Sequence, residues 1–580
     1  MTLSTRVNGL CCEKMAGGHV SNENHSNETE QFATHDASDV NILDAILVRI
    51  GEFGRYQMFN YILLCIPMIF NAFQSISYVF TASPVVYRCN ITQCDSPNSQ
   101  YWEAWVNFTI PHKDFNPDQC HRYVFESPIG KQSSVPSSPY CVPENFDSTR
   151  QEKCGKDFKF RDEEYTISND FGFFCSEEWK LNMVGTINNV GQFIGIPLGG
   201  LLADRYGRRT MLAIGGFLSS IMGIIRSFSP NYYMFLSFEL LDMVVGSTLF
   251  PTSFLLAIEL VGPKRRVAAA TIITIFYSLG EALLGVLAGQ FQNWRVLLRV
   301  LYIPAAVHIF FLVLLPESVR WLLSQRKEEQ AIAILRRAAR VNKRSLSDSS
   351  LQQLVQSNKE KLAESNETTY PIRNAFKRFS WRIANCSLCW FTHTLIALGL
   401  SLNSVNLGGN KYNNFMLNGL VQVPGLILPL FIMNSLGRRT SLCGSMLVCA
   451  VCIGASIIFG KNGHATELTL FLIGKFAITC SFQVLYFFTS EIFPTNVRNS
   501  LLSLCSMIGR IGSMIAPQTP LLANYYEFAP QLLFASFGLV SGFLTLFFPE
   551  TANKSLPTTM DEASNLSGKS KGKDERDEDI

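Results

Sequence analysis

Five ionisable residues stand deep inside apolar runs of a chain that is 47 % hydrophobic and only 16 % charged: Glu239, Asp242, Glu281, Lys475 and Arg510. A charge in hydrocarbon is costly, so such residues face a cavity or a partner. Glu239 and Asp242 are spaced i, i+3 and share a helix face. Arg510, in "CSMIGRIGSMIAP", presents a planar fork that can grip a carboxylate at two points; the competing use is an ion pair with one of the acids. Tyr277, Trp390, Phe482, Tyr486 and Phe487 fall at similar depth and offer ring faces to an ammonium, although packing is the commoner use of an aromatic in a span. His308 and His393 could relay protons, with an ordinary interhelical hydrogen bond as the plainer reading.

A second group of charges sits at the ends of the apolar runs. In "LADRYGRRT", Asp204, Arg205, Arg208 and Arg209 crowd around Gly207. Glu259 and Arg266 flank "ELVGPKRR", Glu491 and Arg498 flank "EIFPTNVR", and Glu317 and Arg320 lie in "PESVRWLL".

Twelve apolar runs position these residues, near 57–80, 181–203, 211–228, 232–258, 267–289, 297–315, 382–403, 414–434, 440–460, 467–489, 500–523 and 529–549. Each is about 20 residues, long enough to span a bilayer as helix. The chain therefore reads as an all-α polytopic membrane protein with a tail over 1–53, a first six-helix half over 54–319, a basic central loop over 320–380, a second six-helix half over 381–550 and a charged tail over 551–580. Residues 1–53 lack a signal-peptide h-region and read as a disordered tail in which Cys11 and Cys12 are spare or palmitoylated. Lys and Arg cluster after spans 2, 4, 6 and 8, which places both tails and the central loop in the cytosol. The long loop 82–180 then lies outside. It carries Cys89, Cys94, Cys120, Cys141, Cys154 and Cys175, expected to form three disulfides in one of fifteen connectivities, and sequons at Asn90 and Asn107. Further sequons at Asn27 and Asn366 fall in segments placed inside.

The two halves echo each other. "GRRT" at Gly207 returns at Gly437, "ELVGPKRR" returns as "EIFPTNVR", and "PES" at Pro316 returns as "PET" at Pro549, with offsets of 230, 232 and 233 residues. A parallel six-helix repeat is the architecture of the major facilitator fold, with substrate held between the halves. "GLLADRYGRR" resembles the signature after helix 2 of major facilitator transporters. The Cys-rich loop, "CSEEWK", "PESVRWLL" and "TSEIFPTNVRN" resemble the organic cation, carnitine and organic anion transporter branch, over residues 45 to 552.

That resemblance implies alternating access and a cytosolic latch. Asp204 would sit near a helix N-terminus and pair with bases such as Arg208. Glu259, Arg266, Glu491 and Arg498, extended by Glu317 and Arg320, would form a second cytosolic cluster. Arg438 repeats Arg208, but Asn434 and Ser435 replace Asp204 and Arg205, so an asymmetric latch is expected. In the branch, helix 11 carries an acid in cation carriers and an arginine in carnitine and anion carriers; Arg510 matches the latter. Gln422 stands where cation-handling relatives have an acid, and Glu239 where many have a base. The implied substrate is a small zwitterion or cation of the carnitine, carcinine or β-alanine kind, with Arg510 on a carboxylate, Glu239 or Glu281 on an amine, and Gln422, Lys475, Tyr277 and Tyr486 around them. An organic anion, or a transport-dead sensor, is the alternative.

Other classes lack their motifs. "GKS" at Gly568 has Ala563 where a Walker glycine belongs, and no metalloprotease or nucleophile-elbow motif occurs. No enzyme, resident cofactor, metal or nucleic-acid partner is expected, and coupling is to Na+, H+ or neither.

Overall fold

The computed structural model describes residues 42–113, 116–126, 141–155, 157–364, 372–460, 463–552, 554, 557 and 560–565. Cys11, Cys12, Asn27, Asn366 and the "GKS" segment lie outside the described residues. Twelve rods form the bundle. In the first half they are Arg55–Ile76 continued by Tyr78–Thr81, Trp179–Tyr206, Arg208–Arg226, Tyr232–Gly246 continued by Leu249–Leu260, Arg266–Gln290, and Trp294–Leu314. In the second they are Ile372–Asn403, Lys411–Ile427 continued by Pro429–Leu436, Arg438–Phe459, His464–Ile492, Thr495–Ile515 continued by Ala516–Asn524, and Ala529–Leu544. They are called spans 1 to 12 below.

Ten of these are long and apolar enough to cross a membrane. Spans 2 and 3 fall short of that measure because Asn188, Asn189, Gln192 and several glycines dilute span 2, while arginines sit at both ends of span 3. Prolines set the breaks. Pro251 cannot bond back to Ser247, so span 4 is interrupted at Ser247–Thr248. Pro517 and Pro520 tighten the end of span 11 into a 3-10 turn. The halves meet along spans 5 and 8 and along spans 2 and 11. A Cβ on Gly419 of span 8 would lie 2.6 Å from the Ala282 backbone nitrogen of span 5, so only glycine permits that approach.

The loop after span 1 is a small domain of its own. It holds three two-stranded antiparallel sheets, Tyr87–Cys89 with Phe158–Phe160, His112–Lys113 with Asn116–Pro117, and His121–Phe125 with Phe146–Lys153. The disulfides are Cys89–Cys154, Cys94–Cys141 and Cys120–Cys175. Arg88, fully buried, makes a two-point pair with Asp95 at 2.7 and 2.8 Å. Asn107 is exposed, whereas Asn90 is half-buried with its amide oxygen enclosed. The domain docks on span 6: the Trp294 indole and the Arg295 guanidinium both donate to Asp170, each at 3.0 Å.

Two expected polar segments prove ordered. Ile42–Arg49, placed in a disordered tail, is a helix that buries Leu43, Ile46 and Leu47 against Trp321, Leu322, Leu335 and Ala338. The central loop contributes Val319–Ser324, Glu328–Val341 and Asp348–Glu364, and span 7 begins within it, at Ile372. The apolar spacing of "ILDAILVR" explains this: it buries one helical face on an amphipathic partner. In the C-terminal tail, Met560–Asn565 docks on span 7 through Arg378 and Asp561 at 2.5 Å.

Candidate functional site

The in-span charges divide into two sets. The first lies wholly within the first half. Arg226 of span 3 is ion-paired with Glu239 of span 4 and lies 3.5 Å from Asp242. All three side chains are fully buried. Asn188 of span 2 donates to Glu239 at 2.7 Å, and the Tyr302 and Ser219 hydroxyls donate to Asp242. Glu239 is therefore taken by Arg226, a correction to its expected place at an amine. Arg226 carries no sequence signal for this role, because an arginine near the predicted end of span 3 looks like an anchor.

The second set reaches across the halves through Glu281 and Arg510, with Lys475 bonded beside it within the second half. Glu281 of span 5 accepts from Ser401 of span 7 and Asn418 of span 8, both at 2.9 Å, and from Gln422 at 2.7 Å. Lys475 of span 10 donates to Ser401 at 2.7 Å and to the Ala397 carbonyl at 2.9 Å. Arg510 of span 11 donates to the Gln192 side-chain carbonyl of span 2 at 3.1 Å. Among the described residues it has no carboxylate partner, so the ion pair weighed as its alternative use is not formed. Tyr277 is close enough to Glu281 and Arg510 to feel both charges. Around this space Tyr277 meets Phe250, and Tyr486 meets Phe254 and Trp390, at ring-centroid distances of 5.8, 6.1 and 6.5 Å. Phe487 meets Tyr486 at 6.2 Å. His393 is bonded to Ser481 at 3.1 Å and stacked on Phe482, while His308 holds the Ala305 carbonyl, so each ring makes an ordinary structural contact.

The two sets are joined. Gln192, which accepts from Arg510, donates its amide to Asn188 at 2.9 Å, and Asn188 donates to Glu239. Two amides thus link the inter-half arginine to the buried pair of the first half. Neither carries a sequence signal, since an amide in an apolar span looks like dilution.

The hydrogen bonds between spans of the two halves, among the described residues, run from mid-bundle to the end that carries the disulfide domain. They join Thr186 to Met514 and Gln518, Gln192 to Arg510, and Glu281 to spans 7 and 8. Beyond them Phe80 stacks on Tyr412 at 5.6 Å, and Lys411 is ion-paired with Glu164 of the disulfide domain. Burial pushes the Glu164 carboxyl above its usual range, and Lys411 pulls it part of the way back. Toward the other end the halves touch through Phe254 and Tyr486.

At that other end each half carries a charge cluster, and the two match contact by contact. Gly207, at φ 103°, turns the chain between spans 2 and 3. The Arg208 and Arg209 amides then donate to Glu317 at 3.0 and 3.1 Å, placing a carboxylate on the span 3 N-terminus. The Arg208 guanidinium pairs with Glu259, which also accepts from Ser318 at 2.5 Å. In the second half Gly437 turns at φ 82°, and the Arg438 and Arg439 amides donate to Glu550 at 2.8 and 3.1 Å. Arg438 pairs with Glu491 at 3.2 Å, and Thr551 donates to Glu491 at 2.6 Å. Glu550 is the acid of the repeated "PET", the counterpart of Glu317 in "PES".

This corrects the expected latch. The carboxylate on the helix N-terminus is Glu317, whereas Asp204 is 75 % exposed and 4.0 Å from Arg208. Arg266 and Arg320 do not join Glu259 and Glu317; both pair with Asp44, at 2.5 and 2.6 Å. Arg205 stacks on its neighbour Tyr206, and Arg498 donates to the Phe493 carbonyl at 3.3 Å. The expected asymmetry is confined to Asp204 itself.

Solved structures share the architecture. The partially occluded inward-open xylose transporter XylE from E. coli superposes with a TM-score of 0.55 at 19 % identity, covering 67 % of this chain and 93 % of that one. With its long apolar helices in two six-span halves, the chain therefore has the major facilitator fold of a multi-pass membrane protein. Residues 148–561 match the family described as sugar (and other) transporter. The Drosophila melanogaster organic cation transporter-like protein is 29 % identical, over 91 % of this chain and 93 % of its own. Mouse solute carrier family 22 member 3 is 30 % identical (90 % and 96 %), and human organic cation/carnitine transporter 2 is 28 % identical (90 % and 94 %). The chain belongs to the sugar (and other) transporter family, in its organic cation and carnitine transporter branch.

Proposed function

We propose that this protein carries small organic zwitterions, of the carnitine, carcinine or β-alanine kind, across the plasma membrane by alternating access, with both termini cytosolic. The observation that carries the reading is Arg510: a mid-bundle guanidinium held by a side-chain amide, Gln192, and, among the described residues, by no acid. An amide carbonyl is a weaker partner than a carboxylate, which can displace it and take a charge-assisted two-point bond. The substrate ammonium would lie against Tyr277, Tyr486 and Trp390, with Glu281 completing the cage. The names of the relatives, which include organic cation and carnitine transporters, agree with an amine-bearing substrate.

A second reading is an organic anion. With Glu239 paired inside its own half, the charges at or beside the boundary are Arg510 and Lys475 against Glu281, a balance that favours negative charge in the substrate. The disulfide-domain side, where the halves are joined, would be the closed extracellular side. Glu317 and Glu550, with their arginines, would hold the span 2–3 and 8–9 turns rigid while the halves rock.

Uptake into proteoliposomes of zwitterion, cation and anion panels, with and without a sodium or proton gradient, tests this. The zwitterion reading expects trans-stimulated uptake of amino-acid-like substrates, lost in Arg510→Gln and weakened in Glu281→Gln. Selective uptake of carboxylates without an amine supports the anion reading. Unchanged carboxylate affinity in Arg510→Gln overturns both, and an absence of trans-stimulation for every panel points to a sensor.

A further inference from the structure

A large open cavity lies at the latch end of the first half, away from the substrate space. It measures about 880 Å³ and is walled by three separated segments: residues 50–55 leading into span 1, Arg265 to Ile272 at the start of span 5, and Val341 to Arg344 at the end of the helix Glu328–Val341. That volume is in the range of small-molecule sites. Each segment supplies a base. Arg55, Arg265, Lys343 and Arg344 line the cavity, against Glu52 as its one acid. Among the described residues none of the four bases is in an ion pair, whereas the nearby Arg266, Arg320 and Arg336 all are.

The walls are built rather than incidental. The Asn342 side chain accepts from the Tyr56 amide at 2.9 Å and donates to the Ile50 carbonyl at 2.9 Å and to Gln57 at 2.8 Å. It therefore ties the Lys343–Arg344 corner to the 50–55 turn. Gly51, at φ 98°, makes that turn, and the Glu52 carbonyl accepts from the Gly262 amide at 3.1 Å, which ties it to the start of span 5. The cavity is also two-faced. Alongside the bases its wall is Ala268, Ala269 and Ile272, inside the apolar stretch of span 5, with Phe53 and Val341 also lining it and exposed. A soluble anion would use the bases and leave that wall empty; an amphiphile uses both.

We propose that this cavity binds a membrane lipid with a multiply phosphorylated headgroup, its phosphates on Arg55, Arg265, Lys343 and Arg344 and its chain along Ala268 and Ile272 of span 5. Four unpaired bases exceed what a singly charged headgroup needs, and a basic pocket at the end of a span is a recognised form of such sites. Because the cavity joins the Ile42–Arg49 brace, the central helices and span 5, an occupant would bridge elements that move with the first half.

The test uses full-length protein in phosphatidylcholine nanodiscs doped with phosphatidylinositol bisphosphate or phosphatidylserine, with bound lipid counted by native mass spectrometry. Arg265→Gln/Arg344→Gln should lower bisphosphate-lipid affinity about 25-fold, about fivefold per base. Arg340→Gln, in the helix that leads to Arg344 but outside the cavity, should leave it unchanged. Unchanged binding in the double variant, or equal loss in Arg340→Gln, overturns the site. Soluble inositol trisphosphate should bind more weakly than the lipid; equal affinity overturns the lipid assignment. Equal occupancy by phosphatidylserine overturns the requirement for multiple phosphates.

Discussion

Arg226 and Arg510 are both arginines at depth in apolar helices, yet their surroundings differ. Arg226 has two carboxylates within one half, and every member of that cluster is fully buried. Arg510 faces across the boundary between halves and, among the described residues, has only an amide. A charge neutralised inside a rigid half holds spans 3, 4 and 6 together. If the halves part as proposed, a charge held by an amide across their boundary is free to exchange that partner for a ligand.

Removing one side of each arrangement separates them. Arg226→Met strands Glu239 and Asp242 without a cation and should destabilise the fold by about 3–5 kcal/mol, seen as a loss of surface protein and a lowered melting temperature. Arg226→Met/Glu239→Gln should recover much of this. Arg510→Gln should melt like the parent yet raise the KM for a carboxylate substrate about 10- to 100-fold, the worth of a charged hydrogen-bonded contact. If Arg510→Gln melted as early as Arg226→Met, the contrast would fail.

The latches extend the comparison. Glu317→Gln and Glu550→Gln should each cost about 1 kcal/mol through the helix N-terminus they serve, and by similar amounts, because their contacts match. Asp204→Asn should cost less than either, as its carboxylate is exposed. Thermal melts of the three variants rank them, and a larger loss in Asp204→Asn would restore the asymmetric latch. Smaller still, Gln192→Ala removes the amide that competes for Arg510 and should lower the substrate KM a few-fold.

The weakest effect concerns pH at the disulfide domain. Burial raises the Glu164 carboxyl in the closed arrangement. If Glu164 is exposed when the halves part on that side, its pKa there is the ordinary one. The closed state then binds the proton more tightly, so acidification from neutral toward the ordinary carboxylate range should favour closure, even as the pair with Lys411 is lost. Fluorescence reporting on the Phe80–Tyr412 contact would follow this, and Glu164→Gln should abolish the dependence.

The fold was largely legible because hydrophobic run length and a repeat at near-constant offset are long-range properties of the sequence. The latch was legible in its arginines and in Glu259 and Glu491. Its wiring was not, since Asp204 and Glu317 are equally acidic and only the turn at Gly207 decides which faces the helix end. Of the central polar residues, Arg510, Glu281 and Gln422 bond across the two halves, whereas Lys475 bonds within the second half, to Ser401 and Ala397 of span 7. Glu239 stays within the first half, because its partner Arg226 lies 13 residues earlier at a span end. The helix Ile42–Arg49 was readable from the spacing of Leu43, Ile46 and Leu47 but was masked by the polar sequence before it.

The disulfide domain is bolted to span 6 through Asp170, Trp294 and Arg295, and it reaches the second half through Lys411. It is therefore a rider on one half, not a lid shared by two. A spin label on its outer sheets would keep fixed distances to spans 3 and 6 throughout transport while its distance to span 9 changed. The domain would then serve as a built-in pointer whose swing reports the motion of one half of the carrier against the other.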